Sequence, residues 1–184
     1  EVAGASVVEH TESHQIIEEF MLAANEAVAE SLADQGLLCL RRLHPHPHPR
    51  KLKALTEFVR ELGIECDSLE SRFEIKRIVE DVAAKPEAHA VNFAVLRAMP
   101  KAIYGPQDEG HYALNSQHYC HFTSPIRRYP DLTVHRLFDA LIAGRRPDSD
   151  FGKLMALGDH CSDREQRAEA AERELKKVKL LNYL

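Results

Sequence analysis

His121-Phe122-Thr123-Ser124-Pro125-Ile126-Arg127-Arg128-Tyr129-Pro130-Asp131-Leu132 sets two adjacent arginines behind a Ser-Pro pair, with aromatic residues on either side. Ser124 is a natural N-cap and Pro125 suits the first helical position, so a helical turn is expected to begin there. Arg127 and Arg128 would then sit in its first turn, where unsatisfied backbone N–H groups favour anions. A guanidinium adds planar, permanently charged donors that match phosphate oxygens two at a time. Pro130 forbids a smooth continuation, because it lacks an N–H and restricts Tyr129. The expected shape is a tight turn presenting two arginines, followed by a helix from Pro130 towards Gly144. The same spacing has a plainer reading, a surface ion pair, since Asp131 lies within helical reach of both arginines.

Working outward, Glu1–Val8 is β-branched and interrupted by Gly4, which predicts a strand end with a bend. From Thr11, apolar residues at Ile16, Phe20, Ala23, Ala24, Ala27 and Val28 predict a helix that Gly36 closes. Leu37–Leu40 has the length and character of a strand. The His44-Pro45-His46-Pro47-His48-Pro49 run cannot be helical and predicts a stiff extended loop, whose geometry spreads the histidines apart and argues against a metal site. Helices are expected over Arg50–Leu62, from a Ser71/Glu74 capping box to Ala84, and over Glu87–Met99. Tyr104-Gly105-Pro106 reads as a turn and Gly110–Leu114 as a short strand. Apolar positions at Leu154, Leu157, Cys161, Ala168, Ala171, Leu175 and Val178, broken by Arg164, predict a long helix lying on the body of the domain.

With 184 residues, 44% hydrophobic and 29% charged, the chain can form one domain with a real core. No apolar run reaches the ~18 residues of a membrane span. The first residues, Glu1-Val2-Ala3-Gly4, lack an initiator Met and a secretory pattern, so a piece of something longer is expected. Cys39, Cys66, Cys120 and Cys161 form no C-x-x-C pair, and reduced thiols in a cytoplasmic protein are the expectation. A net charge of −5 disfavours indiscriminate polyanion binding. It leaves room for a local basic channel, because five arginines face only Asp131 and Asp139 between His121 and Arg146.

Residues 119–136, YCHFTSPIRRYPDLTVHR, resemble the signature of the ribonuclease II / ribonuclease R (RNB-domain) family of 3′→5′ exoribonucleases. Ile17-Glu18-Glu19-Phe20-Met21-Leu22-Ala23-Ala24-Asn25, Lys101-Ala102-Ile103-Tyr104 and His160-Cys161-Ser162 agree in the same order, so the likeness runs from about Ser13 onward. The resemblance implies an α+β fold: the C-terminal part of an RNB-type catalytic domain, mostly helical, with a few short strands completing a sheet. Residues 1–184 would be a partial RNB catalytic domain. The upstream half with its dense Asp cluster, and the flanking RNA-binding barrels, would lie outside this chain. Asp148-Ser149-Asp150 is the only close Asp pair here and reads as a loop.

By the same resemblance the whole protein is a cytoplasmic, monomeric hydrolase of RNA degradation, without a membrane association. It would hydrolyse single-stranded RNA to nucleoside 5′-monophosphates with Mg²⁺ or Mn²⁺, whose ligands are expected outside this chain. Arg127 falls on the family's arginine at the scissile phosphate, and Glu172 on a glutamate given a functional role. Glu18 falls on the glutamate that recognises the terminal ribose. Arg128 either grips a neighbouring phosphate or pairs with Asp131. Tyr119 and Phe122, with Tyr112, are placed either to stack bases or to fill the core. His111, His118, Cys120 and His121 are expected to pack and hydrogen-bond, as no second cluster completes a metal site. The isolated 184-residue chain is expected to be inactive.

Two rival readings follow. One is a non-catalytic RNA-binding relative that has lost the metal-binding aspartates. The other is a helical interaction module using an exposed stripe through Leu154, Leu157, Leu175 and Val178.

Overall fold

A computed structural model describes Gly4 and residues 9–183 except Asp148. The strand expected over Glu1–Val8 therefore lies outside the described residues, Gly4 apart. The described residues form an α+β arrangement, mostly helical, in two compact units: residues 1–43 with 102–184, and residues 44–101. No described helix is long and apolar enough to cross a membrane.

The smaller unit contains helices α2 (Pro49–Glu61), α3 (Arg72–Val82) and α4 (Ala88–Ala98). Leu52, Leu55, Val59, Leu69, Ile78, Val82 and Val91 form its core. The His-Pro run is indeed non-helical until its end, where His48 caps α2 by accepting the Arg50 N–H on Nδ1 (3.2 Å) and Pro49 starts the helix. The expected Ser71/Glu74 capping box does not form. Ser71 is the N-cap, but the Glu74 carboxylate accepts from Asp67 N (2.9 Å) and is clamped by Arg77 instead.

In the larger unit α1 (Glu12–Asp34) begins at the Thr11 cap, as its periodicity predicts. Its Ala29 and Leu32 pack with Leu37, Cys39, Cys120 and Val134. All four cysteines are free, and burial lifts the Cys39 thiol to about 11. Strand positions differ from expectation. Leu37–Leu40 is largely buried coil outside any strand, and the strand is β1 (Arg41–Leu43), directly after it. Its antiparallel partner β2 (Ile103–Gly105) occupies the stretch read as a turn, in the register Arg42↔Tyr104. Apolar character marks what is buried; a strand also needs backbone partners, and β1 has them on both sides, since Arg42 N donates to Tyr119 O (3.0 Å). Gly110–Leu114 is likewise not a strand: a single His111↔Ser116 bridge closes around a 3₁₀ turn, Tyr112–Leu114.

Helix α5 (Tyr129–Ile142) follows the arginine turn, and α6 runs from Phe151 to Tyr183. Helix α6 crosses β2 so closely that a Cβ on Gly158 would stand 2.4 Å from Tyr104 O. One turn later, Ser162 Oγ accepts from Tyr104 N (2.9 Å) and donates to Gly158 O (2.8 Å). The expectation that the whole helix lies on the body is corrected beyond this point. Every described residue from Gln166 onward is exposed, with Leu175 at 57% and Val178 at 50%. A three-residue strand can cover only the first turns; the remainder is laced by ion pairs four residues apart, Arg173–Glu169 and Lys176–Glu172.

Substituting Gly158→Ala tests this contact. Helix propensity alone would stabilise it by about 1 kcal/mol. The collision with the Tyr104 backbone should reverse that sign and destabilise by about 1–3 kcal/mol, read from urea denaturation midpoints.

Candidate nucleic-acid interface

The residues of the opening stretch form one isolated helical turn. Ser124 O accepts from Arg127 N (3.3 Å) and Arg128 N (3.1 Å), and the chain then restarts as α5 with Arg128 as N-cap. The two arginines therefore sit in a tight turn ahead of a separate helix, as the Ser-Pro pair and Pro130 predict. Pro130 falls where no intrahelical N–H is required.

Asp131 decides what each arginine can do. Its carboxylate is fully buried and accepts Ser124 N, Arg128 Nε and Arg128 Nη2, each at 2.8 Å. Burial acts to lower the Arg128 pKa, but the bonds and charge of Asp131 outweigh it and the pKa is raised. Arg128 is thus the partner in the ion pair that spacing offered to both. Arg127 is exposed and makes no ion pair or hydrogen bond through its side chain among the described residues.

Behind the turn, Asn25 of α1 is buried and holds the segment in place. Its Oδ1 accepts Phe122 N (2.9 Å) and Thr123 N (3.3 Å), while Nδ2 donates to the Tyr119 hydroxyl (3.1 Å). Tyr119 is only 5% exposed, so it offers no face for stacking a base. Phe122 is half-buried, stacked on His135 with ring centroids 4.1 Å apart. Both belong to the packing that holds the turn, the plainer of the two roles open to them.

In front of the turn lies a cleft of roughly 870 Å³, walled by residues 127–130 on one side and by Leu157–Glu172 of α6 on the other. Tyr104 and His121 also line it. Arg127, Arg128 and Glu172 are therefore brought together. Glu18 is not among the lining residues; it is exposed on α1, beside His10 (3.5 Å). Glu172 is exposed and paired with Lys176. Arg164, noticed in the sequence only as a break in an apolar stripe, is a second exposed cation on the cleft.

A connected polar group borders the same cleft. Arg42 Nη1 donates to Glu165 Oε2 (2.7 Å), and its guanidinium lies 4.5 Å above the Tyr104 ring. The Tyr104 hydroxyl is 2.9 Å from His121 Nδ1 and 3.5 Å from Glu165 Oε1. Burial pushes the Tyr104 pKa up to about 12. Burial, with the positive charges of Arg128 and Arg42, pulls His121 down to about 3. Arg42, Tyr104 and Glu165 were missed as site residues because nothing in their local spacing signals a contact across 61 to 123 positions. Among the described residues, no three His, Cys, Asp or Glu side chains are grouped to hold a metal ion. The described residues therefore do not by themselves form a divalent-ion site.

Residues 1–144 match the RNB domain family. The chain is similar to ribonuclease R of Aquifex aeolicus, with 41% identity over 169 residues covering 88% of this chain and 24% of the relative. Among solved structures it is similar to Mycoplasma genitalium RNase R in complex with ribose-methylated single-stranded RNA (TM-score 0.84, 31% identity, 93% of this chain and 28% of that one). It is also similar to yeast Ssd1, a pseudonuclease (TM-score 0.73, 28% identity, 83% of this chain and 20% of that one). The chain thus spans about a quarter of the length of the proteins it matches.

Two outcomes follow from the geometry. Asp131→Ala leaves Arg128 without its partner and Ser124 N without an acceptor, and should destabilise the protein by about 3–5 kcal/mol in denaturant titrations. Unfolded His121 takes up a proton near pH 6.5, while burial, with the positive charges of Arg128 and Arg42, keeps the folded side chain neutral to about 3 despite Asp131. Its contribution to stability is therefore present above pH 6.5 and is lost as the pH falls towards 3. His121→Gln should show a shallower loss of stability over that window than the unsubstituted protein.

Proposed function

The chain belongs to the RNB domain family, and on that footing we propose that it supplies the phosphate-gripping part of a 3′→5′ exoribonuclease. The full enzyme, on this reading, hydrolyses single-stranded RNA to nucleoside 5′-monophosphates. One observation supports it above the rest: in a single turn, Arg128 is occupied by a buried carboxylate while Arg127 stands unpartnered in a cleft. Fold alone would not carry the reading, since a pseudonuclease shares it. A turn held in place beneath an open guanidinium suits stabilisation of a phosphoryl transition state, because the backbone that carries the donor needs little reorganisation when charge develops.

Each residue then has a limited task. Arg127 donates to the non-bridging oxygens of the scissile phosphate. Arg128, with Asp131, sets the shape of the turn. Glu18 accepts hydrogen bonds from ribose hydroxyls, the groups that distinguish RNA from DNA. The relative solved with ribose-methylated single-stranded RNA supports that ligand class. Mg²⁺ or Mn²⁺ would be held by carboxylates outside this chain, where the family resemblance puts them.

Arg127→Ala in the full-length protein tests the assignment. Turnover of a single-stranded oligoribonucleotide should fall about 10²–10³-fold, with the dissociation constant for RNA changed only a few-fold. Equal losses in both would contradict a transition-state role. Tight RNA binding with no hydrolysis by the unsubstituted protein would instead establish the non-catalytic RNA-binding relative.

A further inference from the structure

His121 lines the cleft beside Arg127 and Arg128, yet the reaction outlined above gives it no task. Its hydrogen-bond partners bear on where its proton sits. The Tyr104 hydroxyl has one proton to give and two acceptors in reach, His121 Nδ1 at 2.9 Å and Glu165 Oε1 at 3.5 Å. The longer contact is at the limit of a hydrogen bond, and Arg42 draws the Glu165 carboxylate towards itself through the other oxygen, Oε2. On distance, the tyrosine proton is assigned to the shorter contact, with His121 Nδ1 accepting. A neutral imidazole that accepts on Nδ1 must carry its own hydrogen on Nε2. The Tyr104 and Tyr119 rings meet the imidazole edge-on, with centroids 5.6 and 5.9 Å away, which fixes its orientation. Nε2 has no partner among the described residues.

We propose that His121 is a substrate-binding residue whose Nε2–H donates to an oxygen of the phosphate gripped by Arg127, with Tyr104 as the positioning residue that fixes the required tautomer. This rests on the ribonuclease reading of the cleft. A neutral donor suits the place: Arg128 and Arg42 already stand nearby, and a third cation would repel both, whereas an uncharged N–H adds a bond to the anion without that penalty. Burial keeps His121 neutral over the physiological range, so the donor persists wherever the enzyme would work.

Two substitutions separate this role from a structural one, because each preserves one end of the ring. In His121→Gln the side-chain amide reaches the position of Nε2 and keeps the cleft donor while losing the Tyr104 bond. In His121→Asn the shorter side chain keeps the Tyr104 bond and loses the cleft donor. With full-length protein and single-stranded oligoadenylate, His121→Asn should lower both RNA affinity and kcat/KM by about tenfold to hundredfold, while His121→Gln retains most of both. The reverse order, or equal losses, overturns the proposal while leaving the ribonuclease reading standing. An unsubstituted protein that neither binds nor hydrolyses oligoadenylate removes both. A measurement on the unsubstituted protein guards against variants that fail to fold: imidazole ¹⁵N spectroscopy should show the Nε2–H tautomer at neutral pH, with that nitrogen's signal moving on addition of oligoadenylate. An Nδ1–H tautomer, or an Nε2 signal indifferent to the ligand, overturns the assignment.

Discussion

A buried carboxylate governs the site. Asp131 has no solvent exposure, and an ionised group in that position is tolerable only when its oxygens are filled by strong donors. Three donors meet that need, two from Arg128 and one from Ser124 N. The consequence extends past Asp131 itself. Drawing Ser124 N and the Arg128 side chain to one point folds residues 124–128 into a single turn, and it consumes one of two adjacent guanidiniums. The other is left in solvent with its donors open. A residue usually read as a surface ion-pair partner thus sorts two identical side chains into one that holds the turn and one that faces the cleft.

The opposite side of the signature is tied down by a second buried polar group. Asn25 uses both ends of its amide on the segment, accepting from Phe122 N and Thr123 N and donating to Tyr119. Residues 119–128 are therefore held between α1 and α5 by directional bonds as well as by packing. A two-stranded sheet is marginal alone, and β1–β2 is braced by α6 through Gly158 and Ser162. That brace positions Tyr104, and through it His121, on the same cleft. Positional accuracy at the cleft thus comes from three helices and a short ladder.

Helices announced themselves in the sequence because their signals are local: apolar spacing, with glycines and prolines at the ends. Strands did not. Leu37–Leu40 looked like one and is buried coil, while Tyr104 and Gly105, read as part of a turn, belong to a strand, because pairing depends on segments 62 positions apart. Glu74 shows the same limit at smaller scale, since its capping-box spacing was right and Arg77 and Asp67 captured it instead. At the site, Arg127 was legible from the signature, and the Asp131 pair was legible only as an ambiguity between two arginines. Asn25 stood within a quoted stretch but gave no sign of its burial. The Arg42–Glu165–Tyr104–His121 group could not be found, as its members come from four separate segments.

An acidic protein with exposed arginines on one cleft is not a contradiction, and α6 shows why. Its carboxylates at Glu169 and Glu172 line the cleft but are paired along the helix with Arg173 and Lys176, which reduces their opposition to Arg127 and Arg164 across the gap. Charges farther away count for little, because physiological salt screens exposed groups beyond about 8 Å. The net charge of −5 therefore describes the surface as a whole, while the field at the cleft is set by a few neighbours. Among those, the neutral state of His121 matters as much as the charge of Arg127. A protonated imidazole there would stand against Arg128 and Arg42, so a neutral His121 keeps the charges beside the turn few.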